Sequence, residues 1–514
     1  MTKSSGKKAR DKVKSIEELA EILASLRANN KKAIQCHGVF DLLHVGHIRH
    51  FEQAKRLGDI LVVTVTPDRY VNKGPHRPAF TEDLRAEAIA ALDCVDYVAI
   101  NKWPTAVETI KLLKPDIYAK GADYKDAEKD YTGKIVDEEA AVKSVGGEIA
   151  FTDDITFSSS SLINRYLSVF PEEVSQYLAG FSERYSPDDV LQYLENARPL
   201  KVLVVGEAII DEYQYCESIG KSAKEPVLAT RYLSTEKFAG GTLAVSNHVA
   251  NFCDNVGLLT LLGTEDSQED FVRRYVKSNV EKIFLYKQNS PTIVKRRFIE
   301  SYLLTKLFEV YVMNDEELDK AEGQALCTKL RDILPQYDIV IVVDYGHGML
   351  SREAIDILCC QAPFLAVNTQ ANAGNRGFNT ISKYPRADYV CIAEHEIRLD
   401  TRSQQADLRD IILKVSQKLE CGRIVVTRGK YGCLGYNKDE GFFEVPAFAQ
   451  QIVDRVGIGD AFLSVTSLCV AQKAPMEIVA FIGNVVGAEA VATVGNRTPI
   501  ERSYLLKHIV SLLK

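Results

Sequence analysis

The chain has 514 residues, of which 46% are hydrophobic and 26% are charged, and its 63 basic and 70 acidic side chains leave a net charge of -7. This composition is typical of a globular protein and excludes disorder over most of the chain. The length exceeds the roughly 250–300 residues at which one hydrophobic core stops growing, so we expect two or three domains. The mild charge argues against nucleic-acid partners and against a polybasic membrane binder.

Residues 1–32 are predicted to form a tail and a first helix. The first residues are basic, but no apolar core follows them, so we interpret them as a solvated tail and not as a signal peptide. From Ser15 to Asn29, apolar residues recur at helical spacing and predict an amphipathic helix. Residues 33–165 are then expected to form the first domain.

Apolar strand-like runs alternate with helical patterns in this first domain. Strands are predicted at Ala33–Cys36 and in the segments DILVVTVTPD, VDYVAIN and DIYAKG. Helices are predicted through Lys55, around Leu84–Leu92 and at Val107–Leu113. Strands that alternate with helices favour parallel βαβ units, and we expect a Rossmann-like α/β domain.

The rest of the chain is predicted to form a helical linker and a larger α/β domain. Residues 166–198 contain two prolines, with Pro199 directly after them, and an amphipathic segment but no strand pattern, which favours a helical linker. Strand signals resume in residues 199–514, first in a β-rich segment up to about Val312 that we interpret as a lid. Strand–helix alternation then returns, and long helices are predicted after Gly459.

Two features of the whole chain bear on its location. No window reaches the roughly 18 consecutive apolar residues that a membrane span needs, so no membrane partner is expected. The eleven cysteines include no CxxC pair, which favours reduced, buried thiols. We therefore expect a cytoplasmic protein.

The segment GVFDLLHVGH, Gly38–His47, lies where a predicted strand passes into a predicted helix. The free N–H groups and the dipole of a helix N-terminus attract phosphate groups. Glycines let a ligand approach the backbone closely, and His44 and His47 fall on one face of the first helical turn. The alternatives are a metal-binding pair or two ordinary surface histidines.

HVGH after GVFD resembles the HxGH signature of cytidylyltransferase-like nucleotidyltransferases, in particular that half of the bifunctional heptose-phosphate kinase/adenylyltransferases. The resemblance covers roughly residues 33–165 and extends to Lys73, Arg85, KGADY and the serine run before LIN. It implies that His44, His47 and Lys73 stabilise the charge on the α-phosphate and on pyrophosphate. It also implies a nucleotide-binding set comprising Gly38, Phe40, Asp41, Gly46, Lys120, Ser158, Ser159 and Ser160. Many relatives carry Arg and Gly before the hydroxyl run, whereas this chain has FTDDITFSSSS, so the choice between ATP and CTP stays open.

The segment VDRVGIGDAF, Val453–Phe462, precedes a strongly apolar predicted helix. Gly457 and Gly459 permit a turn whose N–H groups converge on one point and form an anion hole. Asp460 beside it could accept the proton of an alcohol that attacks a γ-phosphate. The alternative is that Asp460 only caps the helix.

GxGD resembles the signature of ribokinase-type (PfkB) sugar kinases, and the resemblance covers residues 199–514. It implies a nucleotide-binding set of Thr427, Gly429, Gly432, Gly457 and Gly459 and a substrate-binding set of Asp211, Gly240, Gly241 and Asn247. KSAKEPV followed by PTIVKRRFIE resembles the heptose-phosphate kinases, so Lys295 and Arg297 become candidates for clamping a sugar phosphate. The alternative is that both are solvated charges on a lid strand.

Three departures from this resemblance affect what it implies. The DPK-like strand end of the relatives is NTQ here, and Ala393 replaces the Asn of their Asn-x-x-Glu element. Glu396 remains as a candidate that orients Mg²⁺ through water. The domain order is also reversed relative to the heptose enzymes.

We therefore expect a bifunctional enzyme. Its second domain would phosphorylate a heptose-phosphate-like sugar with ATP and Mg²⁺. Its first domain would couple the sugar 1-phosphate to a nucleotide from ATP or CTP, making an activated sugar for cell-surface polysaccharide, and we expect a homodimer formed through the kinase lid. The alternatives are a polyol-phosphate cytidylyltransferase fused to a kinase of another substrate class, or a protein in which one domain has decayed into a ligand sensor.

Overall fold

The structure is a computed structural model and describes residues 9–71, 77–121, 134–152, 170–450 and 452–513. Two compact units divide the chain, one of residues 1–171 with 506–514 and one of residues 172–505. Within the described residues, no helix combines the length and the apolar character that crossing a membrane requires. All eleven cysteines are free thiols, and all except Cys94 and Cys360 are buried, as predicted.

The first unit is a parallel α/β fold. Its strands are β1 Val13–Lys14, β2 Ala33–Gly38, β3 Ile60–Val65, β4 Tyr97–Ile100, β5 Ile117–Gly121 and β6 Glu148–Thr152. Its helices are α1 Ala9–Lys12, α2 Ile16–Ala28, α3 Val45–Lys55, α4 Glu82–Ala90, α5 Val107–Leu113 and α6 Lys134–Ser144. The strand order is β1-β4-β3-β2-β5-β6, and each pairing between these strands is parallel.

Local sequence explains why these elements form where they do. Ser15 caps α2 in a capping box with Glu18, and Ile16, Leu19 and Leu23 are its buried residues, which confirms the first helix. The predicted βαβ alternation is also confirmed. Because β2 pairs with β3 on one side and β5 on the other, its carboxyl end lies at the switch point where ligands bind in such sheets.

The second unit is larger and also α/β. Its strands are β7 Lys201–Lys221, β8 Leu228–Gly241, β9 Asn255–Glu265, β10 Val280–Pro291, β11 Ile293–Glu300, β12 Thr305–Val312, β13 Ile339–Asp344, β14 Leu365–Thr369, β15 Tyr389–Ala393, β16 Arg423–Thr427, β17 Cys433–Asn437 and β18 Gly441–Val445. Its helices are α7 Glu172–Arg184, α8 Pro187–Glu195, α9 Thr242–Val249, α10 Glu269–Tyr275, α11 Lys320–Ile333, α12 Arg352–Gln361, α13 Glu394–Asp400, α14 Leu408–Lys418, α15 Ile458–Ala471 and α16 Met476–Val491. A last helix, α17 Arg502–Leu512, spans the division between the units.

The central sheet of the second unit has the order β10-β9-β7-β13-β14-β15-β16-β17-β18. The long strand β7 belongs to this sheet up to Glu207 and then continues out of it, pairing with β8 and β11. We call residues 208–221 of β7, together with β8, β11 and β12, the lid. The predicted β-rich segment up to Val312 is thus confirmed, and its strands reach the carboxyl edge of the central sheet.

The two helices before β7 pack on the second unit. Phe181 of α7 stacks on Phe481 of α16 with ring centroids 4.2 Å apart. Arg184 donates to both carboxylate oxygens of Glu477 at 2.6 and 2.7 Å. The helices predicted between the two domains therefore form, and they are held by aromatic packing and a bidentate ion pair.

Candidate active sites

The histidine pair of the first unit lies at the start of α3. His44 is the N-cap residue, and its Nδ1 accepts a hydrogen bond from the backbone N–H of Gly46 at 3.1 Å. The His44 and His47 rings are stacked, with centroids 3.8 Å apart and planes 26° apart. The prediction that both imidazoles share one face is confirmed. Two imidazoles at the positive end of a helix form an anion-attracting group.

The ring of Phe40 packs against this histidine pair. Its ring contacts His47 edge-on, with centroids 5.3 Å apart, and Phe51 at 5.0 Å. Its backbone has a φ of 49°, in the left-handed region. A Cβ at Gly38 would lie 2.8 Å from the Phe40 ring. The absence of a side chain at Gly38 thus makes room for the Phe40 ring, and the approach of a ligand to this glycine stays a prediction.

Asp41 is hydrogen-bonded within the protein, to one side chain and one backbone N–H group. It is 1% exposed, and its carboxylate accepts from Arg77 Nη1 at 2.9 Å and from the Ala79 N–H at 2.5 Å. Arg85, 2% exposed, donates to the Val39 and Thr66 carbonyls. These two buried charges hold the loops at the carboxyl ends of β2 and β3 together.

Lys120 lies at the end of β5, beside β2. Its Nζ forms an ion pair with Glu138 at 2.7 Å, and both side chains are buried. The neighbouring His50 contacts Thr152 Oγ1 through Nδ1 at 2.7 Å, and burial together with the Lys120 charge lowers its pKa to about 4. Lys120 is therefore close to the switch point but is neutralised by Glu138. Lys73, Ser158, Ser159 and Ser160 lie outside the described residues.

The predicted anion hole of the second unit is the start of α15. Gly457, the N-cap residue, has a φ of 83°, and a Cβ there would lie 1.9 Å from Asn496 Oδ1. Within the part of the chain that the structure describes, no side-chain hydrogen bond caps this helix start. A Cβ at Gly459 would meet no atom within 4 Å. The first turn is therefore bare and open on the side where a phosphate could bind.

Asp460 is held in this first turn by a tyrosine. The Tyr345 phenol donates to Asp460 Oδ1 at 2.7 Å. Burial, and secondarily the negative charge of Asp211, raise the pKa of Asp460 to about 7, while Tyr345 and Lys295 oppose this rise. A carboxylate that titrates near neutral pH is well matched to act as a general base.

The two lid cations have different partners. Lys295 and Arg297 lie on β11, where they pair in parallel register with Asp211 and Tyr213 of β7. Arg297 forms an ion pair with Asp211 and a second one with Glu309 at 3.0 Å. Two carboxylates thus neutralise Arg297 in this structure, and the clamping of one phosphate by both cations stays a prediction.

Lys295 remains the cation of the lid that faces the active site. It is 6% exposed, and its Nζ lies 5.4 Å from the centroid of the Tyr345 ring and 5.5 Å from that of Tyr311. Burial lowers its pKa, whereas the charge of Asp211 raises it. The alternative of a solvated charge is wrong for both residues, since both are buried.

The other predicted substrate residues lie around Asp211. A Cβ at Gly240 would lie 2.2 Å from Asp211 Oδ2, so the glycine lets β8 pass close to this carboxylate. Gly241, with a φ of 55°, begins α9. Asn247 donates to the Tyr275 carbonyl at 3.0 Å and accepts from the Lys277 N–H at 2.9 Å. Both ends of its amide thus bind backbone groups, and its role in substrate binding stays a prediction.

The predicted nucleotide-side turn follows β16, which ends at Thr427. Gly429 and Gly432 have φ values of 58° and 80°, and a Cβ at Gly432 would lie 2.0 Å from the Val445 carbonyl oxygen. The Arg428 N–H donates to the Gly432 carbonyl at 2.7 Å and closes the turn. Both glycines are therefore required by the backbone itself.

Glu396 accepts hydrogen bonds from backbone N–H groups near the start of α13. Its two oxygens accept from the N–H groups of Ala371 and Ala393 at 3.0 Å each. Burial raises its pKa to about 7. Among the described residues there is no group of three His, Cys, Asp or Glu side chains that could hold a metal ion. The donor set thus does not form a dedicated magnesium site, and the expectation for Glu396 is not favoured.

Sequence reasoning missed the residues that follow β13. Glu207 accepts from the N–H groups of Tyr345 and His347 at 3.1 and 3.0 Å and so fixes this segment beside Asp460. The available signal was the polar segment DYGHG at the carboxyl end of a buried strand, the usual place for ligand-binding residues in α/β sheets.

Comparisons with known proteins agree with the two sites. Residues 199–502 match the family model of pfkB family carbohydrate kinases. The chain belongs to this family. Residues 36–165 match the cytidylyltransferase-like family model, so the predicted α/β fold class and both predicted family resemblances are confirmed.

Curated relatives match a part of the chain. "Bifunctional protein HldE" of Trichlorobacter lovleyi is 42% identical over 167 residues, which cover 32% of this chain and 32% of that protein. The protein of the same name from Campylobacter jejuni is 47% identical over 115 residues, which cover 22% of this chain and 25% of that protein. The match to the first of these relatives thus spans about a third of its length.

Among solved structures, phosphofructokinase-2 from Escherichia coli in complex with potassium is similar to this chain with a TM-score of 0.50. The sequence identity is 16%, and the similarity covers 61% of this chain and 100% of that one. At this level of identity the similarity shows the kinase fold.

Proposed function

We propose that this protein phosphorylates a sugar phosphate in its pfkB-family unit and joins the resulting sugar 1-phosphate to a nucleotide in its cytidylyltransferase-like unit. The observation that carries the proposal is Asp460, a carboxylate titrating near pH 7 in the first turn of an uncapped helix. The stacked His44 and His47 at a second helix start support the other reaction. The name of the curated relatives, "Bifunctional protein HldE", is consistent with two activities in one chain.

In the kinase reaction, Asp460 would accept the proton of the sugar hydroxyl as its oxygen attacks the γ-phosphorus of ATP. A bond forms between that oxygen and phosphorus, and the bond to the β-phosphate oxygen breaks, so ADP leaves. The bare N–H groups at the start of α15 would hold the oxygens of the transferred group. Lys295 would add positive charge on the lid side.

Mg²⁺ is proposed only as part of the ATP complex. The described residues form no dedicated site for it, and Mg²⁺ in kinases is commonly held by substrate phosphates, water and one or two carboxylates. The ion would neutralise phosphate charge, and the residues derived above bind the sugar, orient the hydroxyl and accept its proton.

In the transferase reaction, an oxygen of the sugar 1-phosphate would attack the α-phosphorus of ATP or CTP. The bond between the α-phosphorus and the bridging oxygen breaks, and pyrophosphate leaves with the negative charge. His44, His47 and the N-terminus of α3 would stabilise that charge. We propose that Lys73 and the serine run Ser158–Ser160 complete this site, as the family resemblance implies.

A heptose-phosphate-like substrate is proposed for the kinase, supported by the buried cation Lys295 and by the resemblance of KSAKEPV and PTIVKRRFIE to the heptose-phosphate kinases. We further propose a homodimer formed through the lid. Its support is a set of apolar side chains exposed on the lid strands and their connections, with exposed fractions of 60% for Tyr232, 88% for Tyr302, 72% for Leu303 and 53% for Phe308. The free thiols support a cytoplasmic location.

The proposal is tested by incubating the full chain with Mg²⁺, each nucleoside triphosphate and a panel of free and phosphorylated sugars, and by identifying products by mass. We expect a sugar bisphosphate first and then a nucleotide-linked sugar with pyrophosphate. The mass of the second product distinguishes ATP from CTP. Products from a polyol phosphate, or from only one unit, would replace the proposal by one of its alternatives.

A further inference from the structure

Tyr345 lies directly after β13 and reaches the proposed base of the kinase site. It is 2% exposed, and its phenol donates to Asp460 Oδ1 at 2.7 Å across 115 residues of sequence. A buried phenol is usually hydrogen-bonded. The hydrogen-bond partner of this phenol is the carboxylate on which the proposed reaction depends.

The backbone of Tyr345 is fixed on both sides. Its N–H donates to Glu207 at 3.1 Å, and its carbonyl accepts from Asn372 Nδ2 at 2.9 Å and from Asn375 Nδ2 at 2.6 Å. A fully buried ring on a backbone held at three points has little freedom to leave its rotamer. The phenol is therefore a preorganised donor.

The two oxygens of Asp460 differ in their surroundings. Oδ1 accepts the phenol hydrogen bond, whereas Oδ2 has no hydrogen-bond partner among the residues that the structure describes. The backbone carbonyl of Asp460 accepts from Ser464 inside the helix at 2.6 Å, so the helix turn itself is regular. One carboxylate oxygen is thus occupied and the other is available.

We propose that Tyr345 is a positioning residue for phosphoryl transfer, which holds Asp460 through Oδ1, leaves Oδ2 for the sugar hydroxyl and favours the ionised carboxylate. This inference rests on the proposed kinase function. A general base needs its accepting atom within hydrogen-bond reach of the proton, and a carboxylate free to rotate would meet this condition only part of the time.

The charges around Asp460 predict the direction of the effect. Asp211 on β7 and Glu396 on α13 carry like charge, while Lys295 on β11 carries the opposite charge. The pKa of Tyr345 itself lies well above 10 because of burial and of the neighbouring carboxylates, so the phenol stays a donor throughout the working range. Loss of its hydroxyl removes a hydrogen bond to the charged form, so the pKa of Asp460 should rise.

The test compares Tyr345→Phe with a matched control. Phe keeps the ring whose centroid lies 5.4 Å from Lys295 and removes only the hydroxyl. The control is Tyr384→Phe, because Tyr384 is also fully buried and its phenol donates to a carboxylate, Asp344, at 2.6 Å. Both variants lose one buried phenol–carboxylate hydrogen bond, but only the first loses it at Asp460.

For Tyr345→Phe we expect kcat of the kinase reaction to fall about tenfold with an unchanged KM for ATP, and the acid limb of its pH profile to move up by about one pH unit. Tyr384→Phe should leave the limb where it is in the wild type. An unmoved limb in Tyr345→Phe, or an equal movement in both variants, would overturn the proposal.

A second measurement does not need turnover. Carboxyl-carbon NMR of protein labelled at aspartate, assigned with Asp460→Asn, should show the Asp460 titration at higher pH in Tyr345→Phe than in the wild type. If no sugar is phosphorylated but this shift occurs, the proposed function fails and the positioning contact stands. If Tyr345→Phe does not fold, Asn375→Ala takes its place, because it removes one hydrogen bond to the Tyr345 carbonyl. This variant should give a smaller shift of the Asp460 titration in the same direction. No shift would overturn the proposal.

Discussion

The N-termini of α3 and α15 both present the positive end of a helix dipole to an anion. They differ in whether side chains or backbone N–H groups line the site. At α3, His44 caps the helix through Nδ1, and His47 stacks on it, so imidazole side chains line the helix start. At α15, Gly457 begins the helix without a side-chain cap, so the charge there comes from backbone N–H groups. In the proposed reactions, side chains bind the anion at the first site, whereas at the second site the side chain of Asp460 is the proposed base.

This difference predicts where each site is vulnerable. A backbone site is damaged by adding a Cβ, whereas a side-chain site is damaged by removing an imidazole. A carboxylate base gains from the desolvation that raises the pKa of Asp460 to about 7.

The largest effect is expected for Asp460→Asn. Amide nitrogen and oxygen keep the shape but accept no proton, so the kinase rate should fall roughly 10²–10⁴-fold. Nucleotidyl transfer to a supplied sugar 1-phosphate should continue, as a pyrophosphate-release assay would show. Loss of both activities in a folded variant would mean that the two sites are not independent.

The reciprocal variant is His47→Ala. Removing one group that stabilises developing charge should lower pyrophosphate release roughly 10²–10³-fold while ATP consumption by the kinase continues. His44→Ala should act in the same direction, but it also removes the cap on the Gly46 N–H, which makes His47 the cleaner test. Unchanged release in purified His47→Ala would return the pair to ordinary surface histidines.

Two further variants, Lys295→Ala and Arg297→Ala, test the roles of the two lid cations independently. Without Lys295, use of a phosphorylated sugar should weaken roughly ten- to hundredfold and use of a neutral sugar should change little. Without Arg297, Asp211 is left buried with an uncompensated charge, so thermal unfolding should show a loss of about 3–5 kcal/mol. Equal kinetic losses of Lys295→Ala on both sugars would mean that Lys295 does not recognise the sugar phosphate.

The pH dependence follows from the raised pKa of Asp460. The base works when ionised, so kcat/KM of the kinase should fall about tenfold per pH unit below about 7. The linkage to stability has the opposite sign. Because folding raises this pKa from 3.8, the folded chain binds more protons between the two values, so the fold loses stability as pH rises from about 4 to about 7. Asp460→Asn should therefore be more stable than the wild type at pH 8 and lose that advantage near pH 4.

The smallest effects are expected for a pair of glycine variants. A Cβ at Gly457 collides with Asn496 at a φ of 83°, so Gly457→Ala should lower the free energy of unfolding by about 1–2 kcal/mol. A Cβ at Gly459 meets no atom within 4 Å, so Gly459→Ala should keep its stability but slow the kinase several-fold by crowding the phosphate. Denaturant unfolding and steady-state kinetics on both variants check this, and a fully active Gly459→Ala would place the phosphate elsewhere.

Much of the fold could be predicted from the sequence because its signals are local. The helix spacing of 15–29 and the apolar run at Ala33–Cys36 are short-range patterns, and both appear as expected in α2 and β2. HVGH and GIGD likewise lie within one turn of their helices. For that reason their placement at helix starts followed from the residues alone.

Only the tertiary structure decided which charges are already paired. Arg297 and Asp211 are 86 residues apart in sequence, yet their contact neutralises one lid cation. Tyr345 and Asp460 are 115 residues apart, yet their contact orients the proposed base. The same holds for Asp41 with Arg77 and for Asn247 with the Tyr275 backbone. Residue type determines what a side chain can bind, but burial and long-range packing determine what it does bind, since a buried polar group must find a partner within the fold.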